Sequence, residues 1–270
     1  MSSVQDLYLD LMKRSLLNLI YAEQEVIFAA PVGLHKKVIA DMVRKGGAEV
    51  VRRKPLATEA RLEGRDWPLY GQTMVSWKRL QNVQFCVEQA IKNDVPGDLI
   101  ETGVWRGGVS ILMRAVVKAY GVNGRTVWVA DSFAGLPPPN VEQYPQDKDI
   151  PYHTFNELVV SLEQVKHNFE LYDLLDEQVR FLKGWFKDTL ATAPIDSLAV
   201  MRLDGDMYES TMDALSALYP KLSDGGFVII DDYGGLPACR QAVHDYRERK
   251  GITEEIVPVD WTGVYWQRGE

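Results

Sequence analysis

From Gly97 onward the chain alternates short apolar runs with amphipathic runs of helix length, and this alternation restricts its fold more than any other feature. "GDLIETG", "TVWVADS", "VRFLKG", "LAVMRLD" and "GGFVIIDD" read as strands. "GGVSILMRAVVKAYG", "LEQVKHNFELYDLL", "MDALSALYPKL" and "PACRQAVHDYRERKG" read as helices between or after them. Strands that are apolar on nearly every residue and alternate with helices predict an α/β fold, a mostly parallel sheet covered on both faces. Two short closing strands, "EEIVPV" and "GVYWQR", are close enough to pair antiparallel at an edge, with "DWTG" as their turn.

Ahead of the sheet the pattern is helical. Val4, Leu7, Tyr8, Leu11, Met12, Leu16, Leu19 and Ile20 recur at three- and four-residue steps. "MVSWKRLQNVQFCVEQAIKN" is a second strong helix, broken by "NDVPG". The expected division is a helical extension over 1–69 and a sheet domain over 70–270. Within the extension a short helix ends at Gly46-Gly47, and seven basic residues cluster: Lys36, Lys37, Arg44, Lys45, Arg52, Arg53 and Lys54. They are either a solvated surface or a patch facing an anionic substrate or an acidic partner. The net charge of −8 argues against broad nucleic-acid binding. Two cysteines make no disulfide scaffold, and nothing resembles a signal peptide or a membrane span. A soluble cytoplasmic protein is expected. Residues 134–153 carry five prolines, too long a connection for a plain turn, and are expected to form a lid.

Open parallel sheets bind ligands at the carboxyl ends of their strands, and the polar clusters lie there. "ETGVWRGG" (Glu101 to Gly108) follows the first strand and opens a helix, where glycines allow close backbone approach and free N–H groups. Asp131 ends the next strand, where a carboxylate can accept both hydroxyls of a ribose. Asp204 and Asp206 follow a third strand, Asp231 and Asp232 a fourth. Any one of them reads equally as a helix cap. Four strand ends together describe one crevice with a nucleoside half and a carboxylate half.

The glycine loop departs from two phosphate-binding patterns: it lacks the lysine of G-x-x-x-x-G-K-[ST], and Trp105-Arg106 interrupts G-x-G-x-x-G. Glu101 would repel a pyrophosphate but suits a ligand with a cationic end. S-adenosylmethionine therefore fits better than NAD or ATP. The crowded carboxylates need a cation or raised pKa values. Hard oxygen ligands without cysteine or clustered histidine suit magnesium, with manganese or calcium also possible. The alternative is that some are protonated or paired to Arg202 or Lys187.

"LYLDLMKRSLLNLIY", "ETGVWRGG", "VWVADSF", "VRFLKGWFKDT", "LDGDMYEST", "GGFVIIDDY" and "PACRQAVHDYR" together resemble the macrocin O-methyltransferase (TylF, MycF and NovP-type) family, over residues 5–21 and roughly 70–268. The resemblance implies a class I methyltransferase, Rossmann-like sheet, with S-adenosylmethionine as donor and magnesium bound by Asp204, Asp231 and Asp232. It implies methylation of a sugar hydroxyl on a glycosylated natural product, as in antibiotic biosynthesis. The expected cofactor contacts are Thr73, Glu101, Thr102, Gly103, Trp105, Arg106, Gly107, Asp131, Ser132, Phe133 and Trp185. Asp204 is the first candidate for general base and Asp206 the second. The N-terminal extension is expected to take part in the lid and in subunit contacts, in a homodimer or larger homo-oligomer. Three rival readings are a nucleotide-sugar glycosyltransferase using "DGD" as a D-x-D metal motif, a non-catalytic cofactor-binding or scaffold subunit, and a methyltransferase acting on a non-sugar hydroxyl.

Overall fold

A computed structural model describes residues 3–21, 25–28, 33–48, 51–53 and 57–269. The chain opens with α1 (Val4–Leu16), β1 (Val26–Phe28), α2 (Leu34–Lys45), β2 (Val51–Arg53), α3 (Thr58–Leu62) and α4 (Trp77–Lys92). Ser3 and Asp6 form a capping box that starts α1, each side chain accepting from the other's backbone N–H. β1 and β2 pair antiparallel, Val26 opposite Arg53, so the extension carries a small two-stranded sheet as well as helices. Strands of three residues carry too little periodicity to announce themselves in a sequence.

The sheet domain follows as β3 (Asp98–Thr102), α5 (Gly108–Ala119), β4 (Val127–Asp131), α6 (Leu162–Leu171), β5 (Val179–Lys183), α7 (Phe186–Thr189), β6 (Leu198–Leu203), α8 (Tyr208–Leu218), β7 (Leu222–Ile230), α9 (Pro237–Lys250), β8 (Val257–Pro258) and β9 (Val264–Gln267). Seven strands form one sheet in the order β5-β4-β3-β6-β7-β9-β8. The first five are parallel, and β9 runs antiparallel to both β7 and β8. The chain steps outward from β3 through β4 to β5, then returns to the other side of β3 with β6. Ligands bind at such a reversal, outside the carboxyl ends of the strands.

Two apolar layers cover the sheet. α1, α4, α5 and α6 bury Leu9, Leu16, Leu80, Val83, Ile111 and Phe169 on one face. α8 and α9 bury Leu215, Leu218, Val243 and Tyr246 on the other. β6 is buried at every position, which explains a run that is apolar except for Arg202. α1 packs chiefly on α5, burying Leu9, Met12 and Leu16 while Val4, Leu7 and Leu11 stay exposed.

Residues 134–161 contain three short 3₁₀ turns, at Pro145–Asp147, Tyr152–Thr154 and Asn156–Leu158. Asp147 anchors this segment. It is fully buried and accepts from the backbone N–H of Tyr208 (2.6 Å) and Glu209 (3.1 Å). Met207, the N-cap of α8, offers no side-chain acceptor, so Asp147 satisfies donors that the helix leaves open.

If α1 belongs to the core of the domain, Leu9→Ala should lower the unfolding free energy by about 2–5 kcal/mol. Leu7→Ala, on the exposed edge, should change it by no more than about 0.5 kcal/mol. Urea titration of both variants checks the contrast.

Candidate active site

One guanidinium joins three strand tips. Arg202 sits near the end of β6 with 1% of its surface exposed. Its Nη1 donates to Glu101 Oε1 at the tip of β3 (2.5 Å) and lies 3.0 Å from Asp204 Oδ2; its Nη2 donates to Asp231 Oδ1 beyond β7. Arg79 of α4 approaches Asp231 from the other side, donating to Oδ2 through Nη1, while its Nε reaches Asp260 Oδ2 at 3.0 Å. Ser76, the N-cap of α4, donates to that same Asp260 oxygen, and Asp260 Oδ1 accepts from the N–H of Thr262 and Gly263. Burial works against charge on both arginines. Asp231, Asp204 and Glu101 around Arg202, and Asp231 and Asp260 around Arg79, outweigh it and hold both firmly protonated.

A cavity of about 540 Å³ lies over these tips, within the size range of small-molecule sites. Of the residues expected to meet a cofactor, Thr73, Glu101, Gly103, Trp105, Asp131, Ser132 and Trp185 line it. Asp131 Oδ2 accepts from Val104 N–H (2.8 Å) and Oδ1 from Phe133 N–H (2.7 Å), which fixes the carboxylate and leaves further lone pairs for a ligand. Gly103, at φ 80°, is where glycine is indispensable: a Cβ there would sit 1.8 Å from the Asp204 carbonyl oxygen. Trp105, Phe133 and Asp206, three of the six non-glycine residues at positive φ among the described residues, take it at the strand ends, at 47°, 54° and 59°.

Four expected contacts point elsewhere. Thr102 is fully buried under the cavity floor, and Gly107 turns the chain at φ 83° beside Val165. The Phe133 ring packs in the core with Phe181, so its contribution at the site is a backbone N–H. The Arg106 guanidinium donates to the carbonyls of Pro68, Leu69 and Gly71. Glu101 lines the cavity, but its carboxylate is already taken by Arg202 and by the Ser110 hydroxyl. Burial lifts its pKa to about 7, against the pull of those two partners.

The other half of the cavity is acidic. Carboxylate oxygens of Asp204, Asp206 and Asp232 lie within 4.8 Å of one another. Burial, with repulsion from Asp231, raises Asp204 to about 6; burial, with repulsion from Asp204 and Asp231, raises Asp206 to about 8; and burial with repulsion from Asp206, Asp204 and Asp231 lifts Asp232 well above the usual range. Asp231, expected in the same set, faces the cavity with each oxygen accepting from one arginine. Three hard oxygen donors this close, with proton affinities raised first by burial and then by neighbouring carboxylates, fit a divalent oxygen-seeking cation. The pairing of Asp204 and Asp231 to Arg202 is the alternative that the sequence left open.

Arg79, Ser76 and Asp260 escaped sequence reading because they join the site across 152 to 184 residues of chain, and Thr262 because it reaches Asp231 across 31. Arg79 reads as an ordinary charge on an amphipathic helix. The one available signal was Arg202, a cation inside an otherwise apolar strand. In the basic segment, Lys36, Lys37, Arg44 and Lys45 of α2 are exposed, and none of them lines the cavity. Lys54 lies outside the described residues.

Comparison with known proteins gives a consistent result. The family model for macrocin-O-methyltransferase (TylF) matches residues 5–268. The chain is 54% identical over 264 residues to an 8-demethyl-8-(2,3-dimethoxy-alpha-L-rhamnosyl)-tetracenomycin-C 4'-O-methyltransferase of Streptomyces olivaceus, covering 97% of this chain and 93% of that one. It is 49% identical over 266 residues to a mycinamicin III 3''-O-methyltransferase of Micromonospora griseorubida, covering 97% and 96%. Among solved structures, the O-methyltransferase NovP superposes with a TM-score of 0.84 at 49% identity, over 98% of this chain and all of that one.

The raised carboxylate pKa values set a pH dependence. In the fold these groups hold protons that the unfolded chain releases near its ordinary value of 3.8, so the stability they contribute is present below that pH. It should be lost as pH rises through about 6 and then about 8 in protein kept free of metal. A divalent cation favours the charged forms and should flatten the decline. Calorimetric melting at stepped pH, in chelator and in magnesium, should give two diverging curves; parallel curves would contradict the cation fit.

Proposed function

The chain belongs to the macrocin O-methyltransferase family, and from that premise we propose that it transfers a methyl group from S-adenosylmethionine to a sugar hydroxyl of a glycosylated natural product, aided by magnesium or manganese. The observation that carries this reading is the single cavity in which the Asp131 and Gly103 half meets the carboxylate cluster across the contact of Gly103 with Asp204. The donor supplies an electrophilic methyl, and a bound divalent cation would supply positive charge that favours the deprotonated form of a neighbouring hydroxyl.

The rest falls to the protein. Asp131, held by two backbone N–H groups, presents its remaining lone pairs to ribose hydroxyls, with Ser132 and Trp185 beside it. Asp204 and Asp232 belong to both the strand-end pattern and the geometric cluster, and would hold the ion. The third place falls to Asp206 by geometry or to Asp231 by strand-end position. The acceptor's proton passes to a carboxylate oxygen of Asp204 or Asp206 that is not tied to the ion, since coordination lowers a carboxylate's basicity. Alignment of acceptor and donor in a covered cavity contributes roughly 7–11 kcal/mol in reactions of this kind.

The relatives' names favour a sugar over a non-sugar acceptor, since one names a rhamnosyl substituent on its substrate. The D-x-D glycosyltransferase reading falls with the family assignment. The exposed Val4, Leu7 and Leu11 edge of α1 supports a homo-oligomer, because an apolar stripe left bare invites aggregation. No helix among the described residues is long and apolar enough to cross a membrane.

Chelation with EDTA should abolish the mass gain of one methyl group on a glycosylated acceptor, and magnesium should restore it. Full turnover in metal-free protein would overturn the reading. Asp206→Asn and Asp231→Asn, compared by magnesium titration, assign the third ligand: the variant with the weaker metal affinity has lost it. Asp131→Ala should weaken S-adenosylmethionine binding by roughly 1.5–3 kcal/mol for each hydrogen bond lost, measured by calorimetry.

A further inference from the structure

The Arg106 guanidinium, turned away from the cavity, does something that cofactor binding does not explain. Its Nη1 lies 3.1, 3.0 and 2.8 Å from the carbonyl oxygens of Pro68, Leu69 and Gly71, so three backbone dipoles converge on one cationic nitrogen. Its plane lies over the Trp105 ring at 4.1 Å, and Asn168 Nδ2 pins its backbone carbonyl at 2.9 Å. Trp105 reaches the other way: its Nε1 donates at 2.8 Å to the Glu157 carbonyl in the lid segment, residues 134–161, which contains the expected lid of 134–153. Two adjacent residues of the glycine loop therefore hold two separate covers of the cavity.

Those covers meet. Trp67, one residue before the carbonyls that Arg106 gathers, packs edge-on against Phe155 of the lid segment at 6.4 Å, and both rings line the cavity. We propose that Arg106 is a positioning residue for the acceptor: with Trp105 it sets the spacing between Trp67 and Phe155, an aromatic gate that admits the apolar face of a glycosylated acceptor once the glycine loop is ordered. This rests on the sugar O-methyltransferase reading of the same site. Arginine suits the role because its charge is permanent and its donors are fixed in one plane. Trp105 at φ 47° suits it too, since that backbone turn sends the neighbouring side chains to opposite covers.

The test uses the full-length enzyme and three variants, Arg106→Ala, Arg106→Lys and Trp105→Phe. Arg106→Ala should raise the KM for a glycosylated acceptor by about tenfold or more, as expected for lost charge-assisted hydrogen bonds, and leave the S-adenosylmethionine Kd within about threefold of wild type. Arg106→Lys, which keeps a cation within reach of the carbonyls, should recover part of the loss. Amide hydrogen exchange over residues 152–158 should quicken in Arg106→Ala and in Trp105→Phe. This readout needs no acceptor. It therefore tests the gate even if the wild type methylates no sugar, an outcome that would sink the functional reading instead. If Arg106→Ala does not fold, Trp105→Phe, which removes the indole N–H and part of the ring but keeps an aromatic face, carries the test. The proposal is overturned if the cofactor Kd rises as much as the acceptor KM, which would make Arg106 a cofactor ligand. It is also overturned if lid exchange in the folded variants matches wild type.

Discussion

The buried guanidinium of Arg202 is the constraint from which the rest of the site follows. It stands on β6, flanked by β3 and β7, and takes a carboxylate from each neighbour as well as one from its own strand end. Removing a charge of this kind from water costs several kcal/mol, repaid only when partners surround it. Loss of any one partner would leave the others imbalanced, so the tips of three strands are tied to a single geometry. That geometry places the Asp204 carbonyl against Gly103 and gives the cavity its floor.

The same network explains why two strands end in acidic pairs. Each pair divides its labour. In the β7 pair, Asp231 is the structural anion, accepting from Arg202 and Arg79, while Asp232 turns to the cluster. In the β6 pair, Asp204 is shared between Arg202 and the cluster, while Asp206 belongs to the cluster. The arginines hold one anion of each pair in charge balance. The carboxylates that remain are buried beside one another, and burial with that crowding keeps proton affinity high and makes the place attractive to a hard cation.

Much of this was legible in the sequence because it depends on period and position. Apolar strands alternating with helices gave the sheet, and the strand ends gave Asp131, Asp204 and Asp232. What stayed hidden depends on contacts between distant segments. Arg79 meets Asp260 only after the β8–β9 turn folds back onto the start of α4, and nothing local to either residue signals it. Within the glycine loop, where Gly103, Trp105 and Gly107 all take positive φ, Trp105 lines the cavity and Arg106 does not. Phe133 was placed at the site by its neighbours in sequence, yet its positive φ sends the ring into the core and leaves a backbone donor behind. The family resemblance named the chemistry. It did not reveal that Glu101, the oddest residue of the loop, is neutralised from within by Arg202.

The most direct test of this account is an anomalous difference map from crystals soaked in manganese together with S-adenosylmethionine. The account predicts one strong peak in the cavity, in contact with carboxylate oxygens of Asp204 and Asp232, with the cofactor ribose at Asp131. Crystals of active enzyme that bind the cofactor but show no peak between those two aspartates, or show it elsewhere, would contradict it.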